Sequence, residues 1–385
     1  MSDRGGPVGA RPRVRQRGGL GLSALLPGVP QLLAGRWGAG LAALGCWLGM
    51  VWIVLTRLDR LRAAVGGGWD AQLALATVIV TAAAAWSWSF ADVRKAARAG
   101  GAGGVSGALG GAFVASPLPR IGLLAILGFY VVALLTPLLA PFDPATPGAL
   151  LTERLVGPSA AHPLGTDQLA RDVLSRLLYG ARISLSIGFV AVGISVTLGT
   201  LIGAVAGYLG GWVDTVFMRL VDLVISFPRL ILLIAIVAVF QPSIFLIMVV
   251  LGLTQWPSTA RLVRGEVLSL RERDFIHAAR ALGFSRRRII LNHVIPNTLA
   301  PVIVAGTLGI GHVIVLEAGL SFLGLGVQAP TPSWGSMVAD GRTFIQAAWW
   351  VSTFPGLAIV TVVLAFNIVG DGLQDALDPR RRGKP

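Results

Sequence analysis

The 385-residue chain is 54% hydrophobic and only 13% charged, with a mean hydropathy of +0.75. A soluble domain cannot hide that much apolar surface, and several apolar runs reach the roughly 20 residues that a membrane-crossing helix needs. The net charge of +14 is no nucleic-acid footprint, because its arginines stand in blocks beside apolar spans, as the positive-inside rule expects.

Residues 1–21 are rich in Gly, Arg and Pro and predict a disordered basic cytoplasmic tail. Apolar runs at 38–56 and 71–91, joined by 57–70, predict an accessory two-helix transmembrane hairpin within 22–95. No cleavage site follows the first run, so it reads as a retained span and not a signal peptide. Cys46, the sole cysteine, sits inside it and excludes an intrachain disulfide. Residues 96–119, Gly/Ala-rich after Arg94 and Lys95, predict a cytoplasmic linker.

Six further spans are predicted at about 121–141, 184–208, 213–240, 243–260, 298–320 and 347–369. They are apolar all round, whereas strands of a membrane barrel alternate. The fold class is therefore an all-α polytopic membrane protein. The third span carries Asp214, Arg219, Asp222, Pro228 and Arg229, and its membrane part begins near Pro228. With the linker inside, span parity puts 142–183 and 324–345 outside as polar loops. It puts 261–296 and the tail with Arg380, Arg381, Arg382 and Lys384 inside, where arginines are dense.

Three segments carry the functional reading. In 261–296, residues 271–282 favour helix, Gly283 stops it, and Ser285 caps a second short helix to about Val294. Pro296 then marks the start of the next span. Small Ala278 and Ala279 allow close approach of a partner, so the segment predicts a docking knob. In 162–185, Thr166 or Asp167 caps a helix whose Arg171, Asp172 and Arg176 pair at helical spacing. In 317–335, Glu317 lies near membrane depth, where an ionisable group faces an interior or aqueous path. It reads as part of a translocation path or gate with Ser321, or as a structural pair.

These segments resemble the dipeptide/oligopeptide/nickel class of binding-protein-dependent ABC importer permeases. The residues that carry the resemblance are His277, Ala278, Ala279, Gly283, Ile295 and Pro296 of the coupling loop, and Gly165, Thr166, Asp167, Arg171, Asp172 and Arg176 of the extracytoplasmic motif. His277 stands where the family usually has Glu, and Ala170 where it usually has Gly. The resemblance covers about 120–380. It implies a six-span type I ABC importer permease domain over 120–385, preceded by the extra hairpin. It further implies a second permease subunit forming a heterodimer, two ABC ATPase domains and an extracytoplasmic peptide-binding protein. The setting is the cell membrane with its lipids, with both termini cytoplasmic and no nucleic acid involved.

No catalytic, cofactor-binding or metal site is expected on this chain. Its only lysines, Lys95 and Lys384, stand in no phosphate-binding loop, so ATP and Mg²⁺ belong to the partner ATPase. The expected function is import of di-/oligopeptides. The alternatives are a nickel or other small-solute importer, or a non-transporting membrane scaffold.

Overall fold

The computed structural model describes residues 117–240 and 243–377. The expected tail at 1–21, the hairpin at 22–95, most of the linker and the terminal arginines lie outside the described residues. Those described form helices α1 (Pro117–Leu139), α2 (Val173–Leu209), α3 (Gly211–Ser226), α4 (Arg229–Val239) and α5 (Ile244–Arg271). Then come α6 (Asp274–Ala281), α7 (Arg286–Ile289), a π-turn (Ile290–Val294), α8 (Ile295–Phe322), α9 (Trp334–Gly341) and α10 (Trp350–Leu377). Five of these are long and apolar enough to cross a membrane, or six when α3 and α4, bent by 85°, count as one broken span. This matches the six-span expectation for the core.

The bundle is built around α2. Its N-cap is Asp172, whose carboxylate accepts from Ser175 N. Gly199, Gly203 and Gly207 repeat every four residues on one face. A Cβ at Gly199 would sit 2.5 Å from Thr259 Cβ, and one at Gly203 would sit 2.5 Å from Ala260 O. The stripe lets the backbones of α2 and α5 meet, which in lipid is the main source of helix affinity. α1 and α10 pack on the other side, where Thr136 Oγ1 donates to Leu178 O at 3.1 Å. Leu118, Ile121, Leu124 and Leu127 of α1 stay exposed, as suits a lipid-facing helix.

Three boundaries depart from the sequence expectation. α2 starts eleven residues before the predicted 184, because the Asp172 cap lies at 172. α5 does not end near 260 but runs on to Arg271, since its arginines continue a good helix former. The loop at 324–345 is not simply polar: it folds inward as α9. Trp334 is 1% exposed, donates from Nε1 to Leu177 O at 3.0 Å and meets Phe129 edge-on at 5.8 Å.

Candidate functional site

The 261–296 segment projects from the end of the bundle where α2 and α5 finish. α6 closes with Phe284 N donating to Ala279 O at 3.1 Å and Gly283 N donating to Arg280 O at 2.9 Å. Gly283 has φ +76°. This is a Schellman stop, in which glycine takes the left-handed position without steric cost. Ser285 Oγ then accepts from Arg288 N, as expected of a cap.

The stretch after this cap is not a second free-standing helix. From Arg286 the chain runs through α7 and the π-turn, which ends at Val294, into α8, which opens at Ile295 with Pro296 in its first turn; the three join without a break as one 37-residue span, Arg286–Phe322. The knob is thus one short helix strapped to the root of the next span. Its inner face joins a core of Tyr208 and Ala204 from α2, Val263 and Val267 from α5, and Ile289 and Val294. Arg280 lies over the Tyr208 ring at 5.2 Å.

Ala278 and Ala279 do not share a face. Ala279 is buried against the bundle and Ala278 is exposed. The outward stripe is Phe275, Ala278 and Leu282, spaced three and four residues apart, with Phe275 43% and Leu282 74% exposed. Phe275 and Leu282 were not singled out by sequence reasoning; their spacing alone was the signal. His277 is exposed beside this stripe, and His293 instead stacks on Phe284 at 6.0 Å.

At the opposite end, the 162–176 segment is an ion-locked loop. Thr166 and Asp167 do not cap a helix; the cap is Asp172, which also meets His162 Nδ1 at 3.0 Å. Asp167 is fully buried, with Arg171 4% and Arg176 3% exposed. Its Oδ1 accepts from Leu169 N at 2.8 Å and Arg171 N at 2.9 Å. Its Oδ2 accepts from Arg171 Nε at 2.8 Å and from Arg176 Nη1. Arg176 Nη2 reaches on to Asp340 of α9 at 2.9 Å. So Arg171 and Arg176 do not pair with Asp172 along a helix; they converge on Asp167 and Asp340.

Gly165, at φ +78°, leaves room for the Trp350 indole, which donates to Thr166 O at 3.1 Å. Ala170 sits at φ +57°. A side chain there occupies the conformation for which glycine is best suited.

Glu317 is wholly buried. Its Oε1 accepts from Ser321 Oγ at 2.7 Å and Ser333 Oγ at 2.8 Å. Of the two readings offered for Glu317, these contacts are those of a structural pairing that fixes α9 onto α8, while Ser321, 6% exposed, also borders a cavity with Arg176 and Asp340. The glycines nearby serve that approach: a Cβ at Gly335 would lie 2.6 Å from Ala318 Cα.

A polar group in the middle of the bundle was not linked by sequence reasoning. Arg229 Nη2 donates to Gln255 Oε1 at 2.9 Å, and His312 of α8 lies within its electrostatic reach. The three stand on three different helices, so no local spacing could join them.

Several apolar spans, a helical plug at one end and an ion-locked loop at the other define a polytopic membrane protein. Residues 199–383 match the family described as binding-protein-dependent transport system inner membrane component. The chain is 47% identical over 265 residues to the dipeptide transport system permease protein DppC of Alkalihalophilus pseudofirmus, covering 69% of this chain and 86% of that protein. It is 40% identical over 269 residues to the probable D,D-dipeptide transport system permease protein DdpC of Escherichia coli, covering 70% and 90%. It is 45% identical over 227 residues to an Escherichia coli glutathione transport system permease protein, GsiD, covering 59% and 75%. The inward-facing MetNI methionine ABC transporter aligns with a TM-score of 0.43 at 18% identity, over 53% of this chain and 97% of that one. The chain belongs to the binding-protein-dependent transport family as a multi-pass membrane component, a transporter subunit and not an enzyme.

Proposed function

We propose that this chain is one of two permease subunits of an ATP-driven importer of di- and oligopeptides. Its relatives are named for dipeptides, D,D-dipeptides and glutathione, all short peptides or peptide-like acids. An extracytoplasmic binding protein hands peptide to the end bearing Asp167, Arg176 and α9. Two ATPase domains, holding ATP and Mg²⁺, receive α6 at the other end. The arginine blocks beside α5 and α7 favour the cytoplasm for the α6 end, and span parity would then leave both termini on that side.

The observation that carries the reading is the mounting of α6. Its apolar stripe faces outward while Ile276, fully buried, and Ala279, 4% exposed, bind it into the core formed with α2, α5 and the root of α8. A force applied to Phe275, Ala278 and Leu282 therefore acts on three spans together. ATP binding would shift the population between inward- and outward-open states by drawing such plugs together.

The test is purification of the complex from its native membrane. ATPase subunits, a second permease and a peptide-binding protein should co-purify, and peptide-loaded binding protein should stimulate ATP hydrolysis. Recovery without any ATPase would return the chain to the scaffold reading. Stimulation by nickel but not by peptides would favour the metal-import alternative.

A further inference from the structure

The break between α3 and α4 opens a cavity of about 550 Å³. Phe227 and Leu232 supply apolar wall, while Arg229, Arg261, Thr254 and Ser258 supply polar groups. Arg261 is already matched by Asp222 at 2.5 Å. Arg229 is not: among the described residues its guanidinium donates to the neutral Gln255 amide, and its Nε is buried without a hydrogen-bond partner. Thr254 Oγ1 donates to Leu251 O at 3.1 Å, which leaves its lone pairs free to accept.

Depth follows from the helices. Arg229 opens the 11-residue α4, so it lies about 15 Å along the helix from the Val239 end. Gln255 lies about 16 Å from the Ile244 end of α5, and His312 about 15 Å from the Phe322 end of α8. With Val239, Ile244 and Phe322 taken at the outer face of a hydrocarbon layer roughly 30 Å thick, all three would lie about half-way in, deeper than the start of the membrane part expected near Pro228. A guanidinium held there without a counter-charge is costly unless it meets an anion in use.

We infer that this cavity receives the carboxylate of the peptide in transit, with Arg229 as its charged ligand and the apolar wall taking a side chain. The inference rests on the peptide-import reading and names the group which that import must accommodate at mid-membrane. The lining holds two guanidiniums, of which only Arg261 is matched by a neighbouring carboxylate, Asp222, so it attracts an anion and repels a bare divalent cation. A guanidinium also suits a carboxylate geometrically, because its fork presents two parallel donors.

The test uses the whole complex in proteoliposomes with peptide-saturated binding protein. Radiolabelled dipeptide uptake per ATP hydrolysed is compared for the parent, Arg229→Gln and Arg229→Lys. A dipeptide ending in a photoreactive leucine is cross-linked and mapped by mass spectrometry. Arg229→Gln should lower uptake per ATP by about 10- to 100-fold, as loss of a charge-assisted hydrogen bond implies. Arg229→Lys should fall between the parent and Arg229→Gln, since the charge persists but the bidentate fork is lost. The cross-link should fall within 224–261 in the parent and vanish in Arg229→Gln.

Equal uptake in Arg229→Gln, or a cross-link confined to other helices, would overturn the inference. Loss of the second permease from the Arg229→Gln complex would also overturn it, by assigning the arginine to a subunit contact. Phosphorus-bearing lipid retained by the parent but not by Arg229→Gln, with uptake unchanged, would assign it to a lipid headgroup. Absence of peptide uptake by the parent complex would instead sink the peptide-import reading itself.

Discussion

Asparagine in place of Asp167 tests what holds the outer loop. The carboxylate is fully buried and accepts two backbone N–H groups on Oδ1 and two guanidiniums on Oδ2. Asparagine is nearly isosteric and keeps an acceptor for the N–H pair. It then turns an amide NH₂ toward Arg171 and Arg176, donor against donor. Two buried cations lose their shared counter-charge, a change of about 3–5 kcal/mol for a buried pair broken from one side. Asp340 provides the control: it touches Arg176 at 2.9 Å but its side chain is 34% exposed, so solvent screens it and Asp340→Asn should cost under about 1 kcal/mol. Thermal unfolding in detergent, followed by tryptophan fluorescence because Trp350 donates to Thr166 O, reads the difference. Asp167→Asn should lower the midpoint on the order of 10 °C and Asp340→Asn by a few degrees. Equal shifts in the two variants would refute the assignment of the lock to Asp167.

Four other substitutions each probe a single geometry. Gly283→Pro should insert normally yet abolish uptake, since φ +76° is closed to proline and the N–H bound to Arg280 O is lost; normal uptake would refute a transmitting role for the α6 stop. Leu282→Asp, at a residue 74% exposed, should weaken ATPase retention by about 10- to 100-fold without lowering the midpoint, the worth of one leucine buried at an interface. Ala170→Gly should raise the midpoint, because it relieves about 1 kcal/mol of left-handed strain at φ +57°. Gly335→Val should destabilise by about 1–3 kcal/mol through overpacking on Ala318, and limited proteolysis should then cut between 324 and 333.

The span count and the α6 stop were legible because they rest on local signals: run length, and one glycine after a helix-forming stretch. Boundaries were less so. The Asp172 cap was masked by Thr166 and Asp167, two equally good capping residues a few positions earlier, and only the fold turns Asp167 inward to two arginines. Glu317 was legible as an ionisable residue in an apolar run but its partner was not, since Ser333 reaches it from a loop whose prolines and polar residues predict exposure. Trp334 in that loop was the overlooked signal: a large indole with an N–H needs both a cavity and an acceptor. The Arg229, Gln255 and His312 group was illegible because each residue looks like an isolated tolerated polar residue until three helices are assembled.

The same helices connect the two ends of the bundle. α2 begins at the ionic lock and finishes on Tyr208 beneath Arg280; α8 leaves the π-turn beside α6 and ends near Glu317, bound to Ser333 before α9. Helices seated along glycine contacts that leave no room for a Cβ cannot absorb a push from α6 by local compression, because a close-packed interior has little free volume. They move as bodies. The α3–α4 bend of 85° lacks that backing, and α4 is tied to α5 by the Arg229–Gln255 bond. Displacement of α5 against α4 therefore falls on the Arg229 cavity, whose walls come from both sides of the bend and from α5. The place best able to yield is also the one holding an unmatched charge. If the cavity receives a carboxylate as proposed, a change in spacing there would alter the field on it directly, and a movement at α6 would become a change in affinity for peptide.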